Sequence, residues 1–137
     1  MVIKVKIRIW VDKDGQEIIG PGIYNILKAL EETGSIASAA RKLGYSYKFI
    51  WTYIKKLEDT LGVPLVESRR GGKERGVSEL TEVGKLLLKY YEDMSKEVEG
   101  ITKIWEGRFN EFLSNIEQYA ATRQSRGEEE IPYYDEE

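Results

Sequence analysis

Three observations predict a mainly α fold with a small β component, in which short helices meet at glycine turns, a hairpin follows them and one long helix comes last. Apolar residues recur at helical spacings of three and four in several separate stretches. The first two of those stretches stop at Gly34 and Gly44, and glycine adopts without steric penalty the left-handed conformation that ends a helix. Two short runs around residues 64–68 and 77–80 then flank "RRGGKERG", a loop rich in glycine and positive charge.

The elements follow in order. Over residues 2–11, Ile3, Val5, Ile7, Ile9 and Val11 alternate with Lys4, Lys6, Arg8 and Trp10, the period of two of a half-buried strand. Asp14-Gly15 is a turn and residues 17–19 are a short return strand, which together make an N-terminal hairpin. Ile23, Ile26, Leu27 and Leu30 form the stripe of a first helix. Ser35 caps a second, whose inner face is Ile36, Ala39, Ala40 and Leu43, with the alanines allowing a close helix approach. Ser46 caps a third helix, residues 46–61, with Ile50, Ile54, Leu57 and Leu61 inside. Two helices joined through Gly44-Tyr45-Ser46 make a helix-turn-helix, and the glycine-rich hairpin behind it reads as a wing, so the fold class is a winged helix-turn-helix.

Thr81 caps a long last helix reaching to about Ala121. Some 40 residues rising about 1.5 Å each span roughly 60 Å, more than a small domain covers. Leu87, Met94 and Ile101 stand seven apart, and Tyr91, Val98, Trp105 and Phe112 continue a neighbouring row. Such rows are covered by a partner helix, so a homodimer through Leu87, Tyr91, Met94, Val98, Ile101, Trp105 and Phe112 is expected. The domain organisation is therefore a winged domain with its N-terminal hairpin over residues 1–80, a dimerisation helix over 81–121, and an acidic, disordered tail over 122–137.

Composition narrows the function. Cysteine and histidine are both absent from the 137 residues, which removes thiolate nucleophiles, imidazole bases and zinc sites built on those ligands. The carboxylates are dispersed along helices and the tail, so neither an enzyme nor a metal or other cofactor is expected. No apolar run approaches the roughly 20 residues of a membrane span, and the N-terminus lacks the basic and apolar blocks of a secretory signal. A cytoplasmic location without membrane association is the expectation. The net charge of −3 conceals a strong polarity: residues 35–78 hold nine basic against four acidic residues, and residues 92–137 five against thirteen. A low overall pI is thus compatible with a polyanionic partner.

The positive region coincides with an unusual stripe. A helix that buries Ile50, Ile54 and Leu57 directs Tyr47, Lys48, Trp51, Thr52 and Lys55 away from the core. Lysines there suit phosphates and guanine edges, Thr52 suits a base edge or a thymine methyl, and the aromatic rings suit apolar contacts in a major groove. Ser46 lies at the same helix end. In the wing, Arg69, Arg70, Lys73 and Arg75 suit phosphates or the minor groove. Double-stranded DNA is the partner this predicts, with Ser46, Tyr47, Lys48, Trp51, Thr52, Lys55 and the four wing cations as the contact residues.

"GSIASAARKLGYSYKFIW" and "RRGGKERGVSELTEVGKLLLKYY" resemble the N-terminal winged-helix domain of the molybdate-responsive ModE regulators: a Ser-Tyr-Lys start to helix three, a Trp one turn later, a glycine-rich wing and a Leu-Thr step into the long helix. The middle, "IKKLEDTLGVPLVES", is also similar to the helix-turn-helix of LysR-type regulators. The resemblance covers residues 22–91, about half the chain. It implies a dimeric, sequence-specific DNA-binding transcription factor. ModE-type regulators carry molybdate-binding domains after this helix, whereas a short acidic stretch follows it here, so molybdate sensing is not carried over and the effector, or a separate signal protein, is left open. The rival expectation is a winged-helix protein-interaction module without specific DNA binding.

Overall fold

The computed structural model describes residues 2–69 and 76–127. Eight elements run in the order β1 (Val11–Lys13), β2 (Gln16–Ile19), α1 (Pro21–Thr33), α2 (Ile36–Leu43), α3 (Tyr47–Leu61), β3 (Val66–Arg69), β4 (Val77–Leu80) and α4 (Glu82–Ser125). This is a mainly α winged helix-turn-helix with two small antiparallel hairpins and a long C-terminal helix. The chain divides into two compact units: residues 7–98 in one, and residues 1–6 with 99–137 in the other.

In the larger unit, α1, α2 and α3 surround a single core in which Leu27, Ala39, Ile50 and Leu65 are fully sealed. Each comes from a different element or connection, which is what locks the three helices and the start of the wing together. Pro21 opens α1, where a missing N–H costs nothing, and Gly34 closes it by donating its N–H to the Leu30 carbonyl at 2.8 Å. The Gly34 carbonyl in turn accepts from the Ser78 N–H at 2.7 Å, so the α1–α2 turn is tied to wing strand β4.

The first hairpin pairs Val11 with Ile19 and Lys13 with Gln16 across Asp14 and Gly15, both of which have positive φ. The expected strand over residues 2–11 is corrected here: strand pairing begins only at Val11, and residues 7–10 precede it outside any sheet. The Ile9 carbonyl instead accepts from the Tyr91 hydroxyl at 3.0 Å. Burial raises the pKa of that phenol above its ordinary value, helped by Glu17 and Tyr24.

The wing joins α4 through Thr81. Its hydroxyl donates to the Pro64 carbonyl at 2.8 Å and accepts from the Gly84 N–H at 3.2 Å, the N-cap the sequence predicts. Gly84 is required for a separate reason: a Cβ there would sit 2.5 Å from the Leu65 carbonyl oxygen, which is main chain. Gly84→Ala should therefore push β3 and α4 apart and destabilise the fold by about 1–3 kcal/mol. Thermal melting measured by circular dichroism checks this; an unchanged midpoint contradicts the close packing.

In the smaller unit, residues 2–6 lie against the last part of α4. The Asn110 side chain accepts from the Ile3 N–H at 2.8 Å and donates to the Ile3 carbonyl at 3.1 Å, and Glu106 accepts from the Val5 N–H at 3.0 Å. The alternating pattern therefore marks extended chain whose hydrogen bonds go to helix side chains instead of a neighbouring strand. Gly100 and Gly107 do not interrupt α4, which continues past Ala121 to Ser125. Residues 122–125 of the expected tail are thus helical, and residues 128–137 lie outside the described residues.

Candidate nucleic-acid interface

The geometry of the interface starts from the turn between α2 and α3. Gly44 is left-handed (φ 76°), and its N–H and that of Tyr45 return to carbonyls of the last turn of α2, at 3.3 Å to Arg41 and 2.9 Å to Ala40. Two residues later Ser46 accepts from the Phe49 N–H at 3.1 Å and starts α3. Ser35 caps α2 in the same way through the Ser38 N–H, at 3.0 Å. Capped at both starts and closed by glycine between them, α2 braces α3 in one orientation.

That orientation buries Ile50, Ile54 and Leu57. Tyr47, Lys48, Trp51, Thr52 and Lys55 are all exposed, Trp51 at 45% and Tyr47 at 54%. At 3.6 residues per turn the outward arc runs from Trp51 through Lys55, Lys48 and Thr52 to Phe49 and Tyr53. The Lys55 ammonium lies 5.7 Å from the centre of the Trp51 ring and 3.4 Å from Glu58 Oε1. Glu58 is largely covered but the Lys55 side chain is 54% exposed, so the pair orients the ammonium without withdrawing it from solvent.

Glu58 does more than pair with Lys55. Its Oε2 accepts from the Leu65 and Val66 N–H groups at 2.8 and 3.3 Å, so one carboxylate links the last turn of α3 to the first strand of the wing. Sequence reasoning missed this contact, since a Glu on a helix gives no sign of main-chain partners seven and eight residues on. The wing strands pair in register from Val66↔Leu80 to Arg69↔Val77. The main chain of Arg69 ends β3; Arg70, Lys73 and Arg75 lie outside the described residues.

A second group was also missed. Tyr45, Phe49 and Tyr53 are exposed and in ring contact, Tyr45 stacked on Phe49 with centres 4.5 Å apart and Phe49 tilted against Tyr53 at 4.8 Å. Their spacing of four was the available signal, overlooked because it runs beside the lysine stripe. Of the other cations near the turn, Lys42 is bonded to Glu32 on α1 and holds that carboxyl below its ordinary pKa, while Arg41 donates to the Ser38 hydroxyl at 3.1 Å.

The residues assigned to dimerisation fall into two groups. Within the larger unit, Tyr91 is buried with its ring tilted against that of Tyr24, centres 5.4 Å apart, and Leu87 and Met94 pack on that unit's own core. Val98, at its end, is half-buried. Within the smaller unit, Ile101, Trp105 and Phe112 are exposed at 53%, 47% and 54%, and Ile104, Ile116 and Tyr119 extend the same apolar surface. The described residues include no cluster of carboxylates arranged to hold a metal ion, and no helix long and apolar enough to cross a membrane.

Part of the chain is similar to known proteins. Residues 24–85 match the family model of the bacterial regulatory helix-turn-helix protein, lysR family, a span from α1 through the wing to the first turn of α4. The chain is 35% identical over 78 residues to the molybdenum-pterin-binding protein MopA of Rhodobacter capsulatus, covering 57% of this chain and 29% of that protein. It is also 35% identical over 72 residues to the DNA-binding transcriptional dual regulator ModE of Escherichia coli strain K12, covering 53% and 28%. It thus spans less than a third of the length of either relative. Among solved structures it is similar to ArgP from Mycobacterium tuberculosis, at 27% identity, 64% and 31% coverage and a TM-score of 0.47.

Proposed function

We propose that this chain, whose residues 24–85 carry a LysR-type helix-turn-helix, is a sequence-specific regulator of transcription that binds double-stranded DNA as a homodimer. The observation that carries the proposal is the outward arc of α3. Trp51, Lys48, Thr52 and Lys55 are presented to solvent on a helix whose opposite face is sealed and whose start is fixed by Ser46. A helix about 10–12 Å across fits a major groove about 12 Å wide. The wing cations Arg69, Arg70, Lys73 and Arg75 add phosphate contacts, and Glu58 holds the base of the wing against the same helix. The names of relatives such as the ModE regulator support the reading. No catalytic role is assigned, and the location that goes with this function is the cytoplasm.

The exposed apolar surface formed by Ile101, Trp105 and Phe112 supports self-association through α4. Trp105, Phe112 and Tyr119 recur every seven residues, the spacing at which a second copy of the same helix packs. A symmetric dimer reads two related half-sites about 34 Å, or a multiple of that, apart. If each subunit neutralises about four phosphates, log affinity should fall against log salt with a slope near −7. A titration of genomic duplex fragments at several salt concentrations tests this, and salt-independent or absent binding at low salt contradicts it.

A further inference from the structure

We infer that Tyr45, in the turn before α3, and Phe49 and Tyr53, on α3, form a second reading edge of the recognition helix, selective for the C5-methyl group that thymine carries into the major groove. The inference rests on the DNA-binding reading above and names what that interface recognises. Two exposed aromatic residues on one side of α3 and a third in the turn before it present apolar area to water at a cost, and here ring contacts at 4.5 Å (stacked) and 4.8 Å (tilted) fix their arrangement. They are therefore preorganised for an apolar partner, with little side-chain freedom left to lose on contact.

The chemistry of α3 narrows what that partner is. The helix sequence YKFIWTYIKKLEDTL contains no Arg, Asn or Gln, so the planar guanidinium fork that reads guanine and the amide pairs that read adenine are absent from it. Lys48 and Lys55 supply point charges for phosphates and guanine oxygens. Beside the lysines and the hydroxyls of Thr52 and the tyrosines, the exposed surface on this flank is aromatic ring, and the apolar feature that an ordinary base pair offers such rings in the major groove is the thymine methyl. That methyl projects toward the side of the groove. On α3, Phe49 and Tyr53 occupy one flank of the outward arc, with Lys48, Thr52 and Lys55 between them and Trp51. A helix seated on its lysines thus brings the ladder to the groove wall, where its cationic neighbours match the charge of the backbone.

The test uses the full chain and a duplex recovered by selection from a genomic pool. Each thymine of the half-site is replaced in turn by deoxyuridine, which removes one methyl and leaves pairing intact. At the burial value of about one methylene, the thymine under the ladder should bind about fourfold more weakly once demethylated. The same substitution should have no effect on Phe49→Ala, and should keep its effect on Trp51→Ala, which separates the ladder from the opposite edge. With a C·G pair built in at that position, the duplex carrying 5-methylcytosine should bind more tightly than the one carrying cytosine, and equal binding of the two counts against the inference. Equal binding of thymine and uracil duplexes by the natural chain overturns the inference, as does a methyl effect that survives Phe49→Ala. If no duplex binds in a salt-dependent manner, the DNA-binding reading fails and takes this inference with it, a result distinct from either of those. Phe49 is exposed, and unchanged melting of the alanine variant excludes misfolding as the cause.

Discussion

Replacing Lys48, Trp51 and Lys55 together by alanine is expected to lower duplex affinity at least about a hundredfold, while leaving the melting temperature within a few degrees of the natural chain. The size follows from losing three contacts that each contribute about 1 kcal/mol or more at a groove or phosphate. The near-constant stability follows from exposure: all three side chains face solvent, and surface substitutions usually shift folding by no more than about 0.5 kcal/mol. The variant loses the Lys55–Glu58 pair at 3.4 Å and the contact of Lys55 with the Trp51 ring at 5.7 Å, and Glu58 keeps its two main-chain donors. Fluorescence anisotropy with a labelled duplex and a parallel thermal melt give both numbers. Undiminished DNA binding contradicts the assignment of this face. Loss of a protein ligand alone, with DNA binding intact, favours the protein-interaction module.

The second large effect belongs to the other end of the chain. Introducing glutamate at both Trp105 and Phe112 should convert the dimer to a species of one chain mass, 15.8 kDa, in sedimentation equilibrium. A charge cannot be buried against an apolar partner helix without several kcal/mol of penalty. Duplex affinity should fall by about a hundredfold or more at the same time, because the second half-site no longer binds as an intramolecular event. Both positions are exposed within their own unit, so the fold of the single chain is not expected to suffer. A dimer that persists in this variant contradicts the proposed interface.

Much of this was legible in the sequence because it is local. A glycine that ends a helix and a serine that begins the next act over four or five residues. Gly44 with Ser46, and Gly34 with Ser35, accordingly appear in the structure with the conformations and caps their identities call for. The exposed lysine and tryptophan stripe is equally local, since the buried row of Ile50, Ile54 and Leu57 dictates where the remaining side chains point.

What was not legible depends on partners far away in the chain. Alternation at Ile3 and Val5 says that the backbone is extended and half-covered; it does not say that Asn110 and Glu106, more than 100 residues on, supply the hydrogen bonds. A seven-residue spacing likewise says that Leu87, Tyr91 and Met94 are covered without saying by what. In the structure, Tyr91 is buried in a core assembled from other elements of the same unit, and Leu87 and Met94 pack against that core while staying half-buried. The Glu58 clip and the aromatic ladder lie between these cases: each spans short sequence distances, yet each depends on side-chain directions that residue type alone does not specify.

The most direct measurement is photo-crosslinking from position 51. A chain carrying a benzophenone side chain in place of Trp51 is mixed at low salt with genomic duplex fragments and irradiated. The expected result is a covalent adduct with DNA, mapped to bases in a recurring site and suppressed by excess unlabelled duplex of that site. A preparation that binds duplex by anisotropy yet yields no DNA adduct from position 51 contradicts the placement of α3 in the groove.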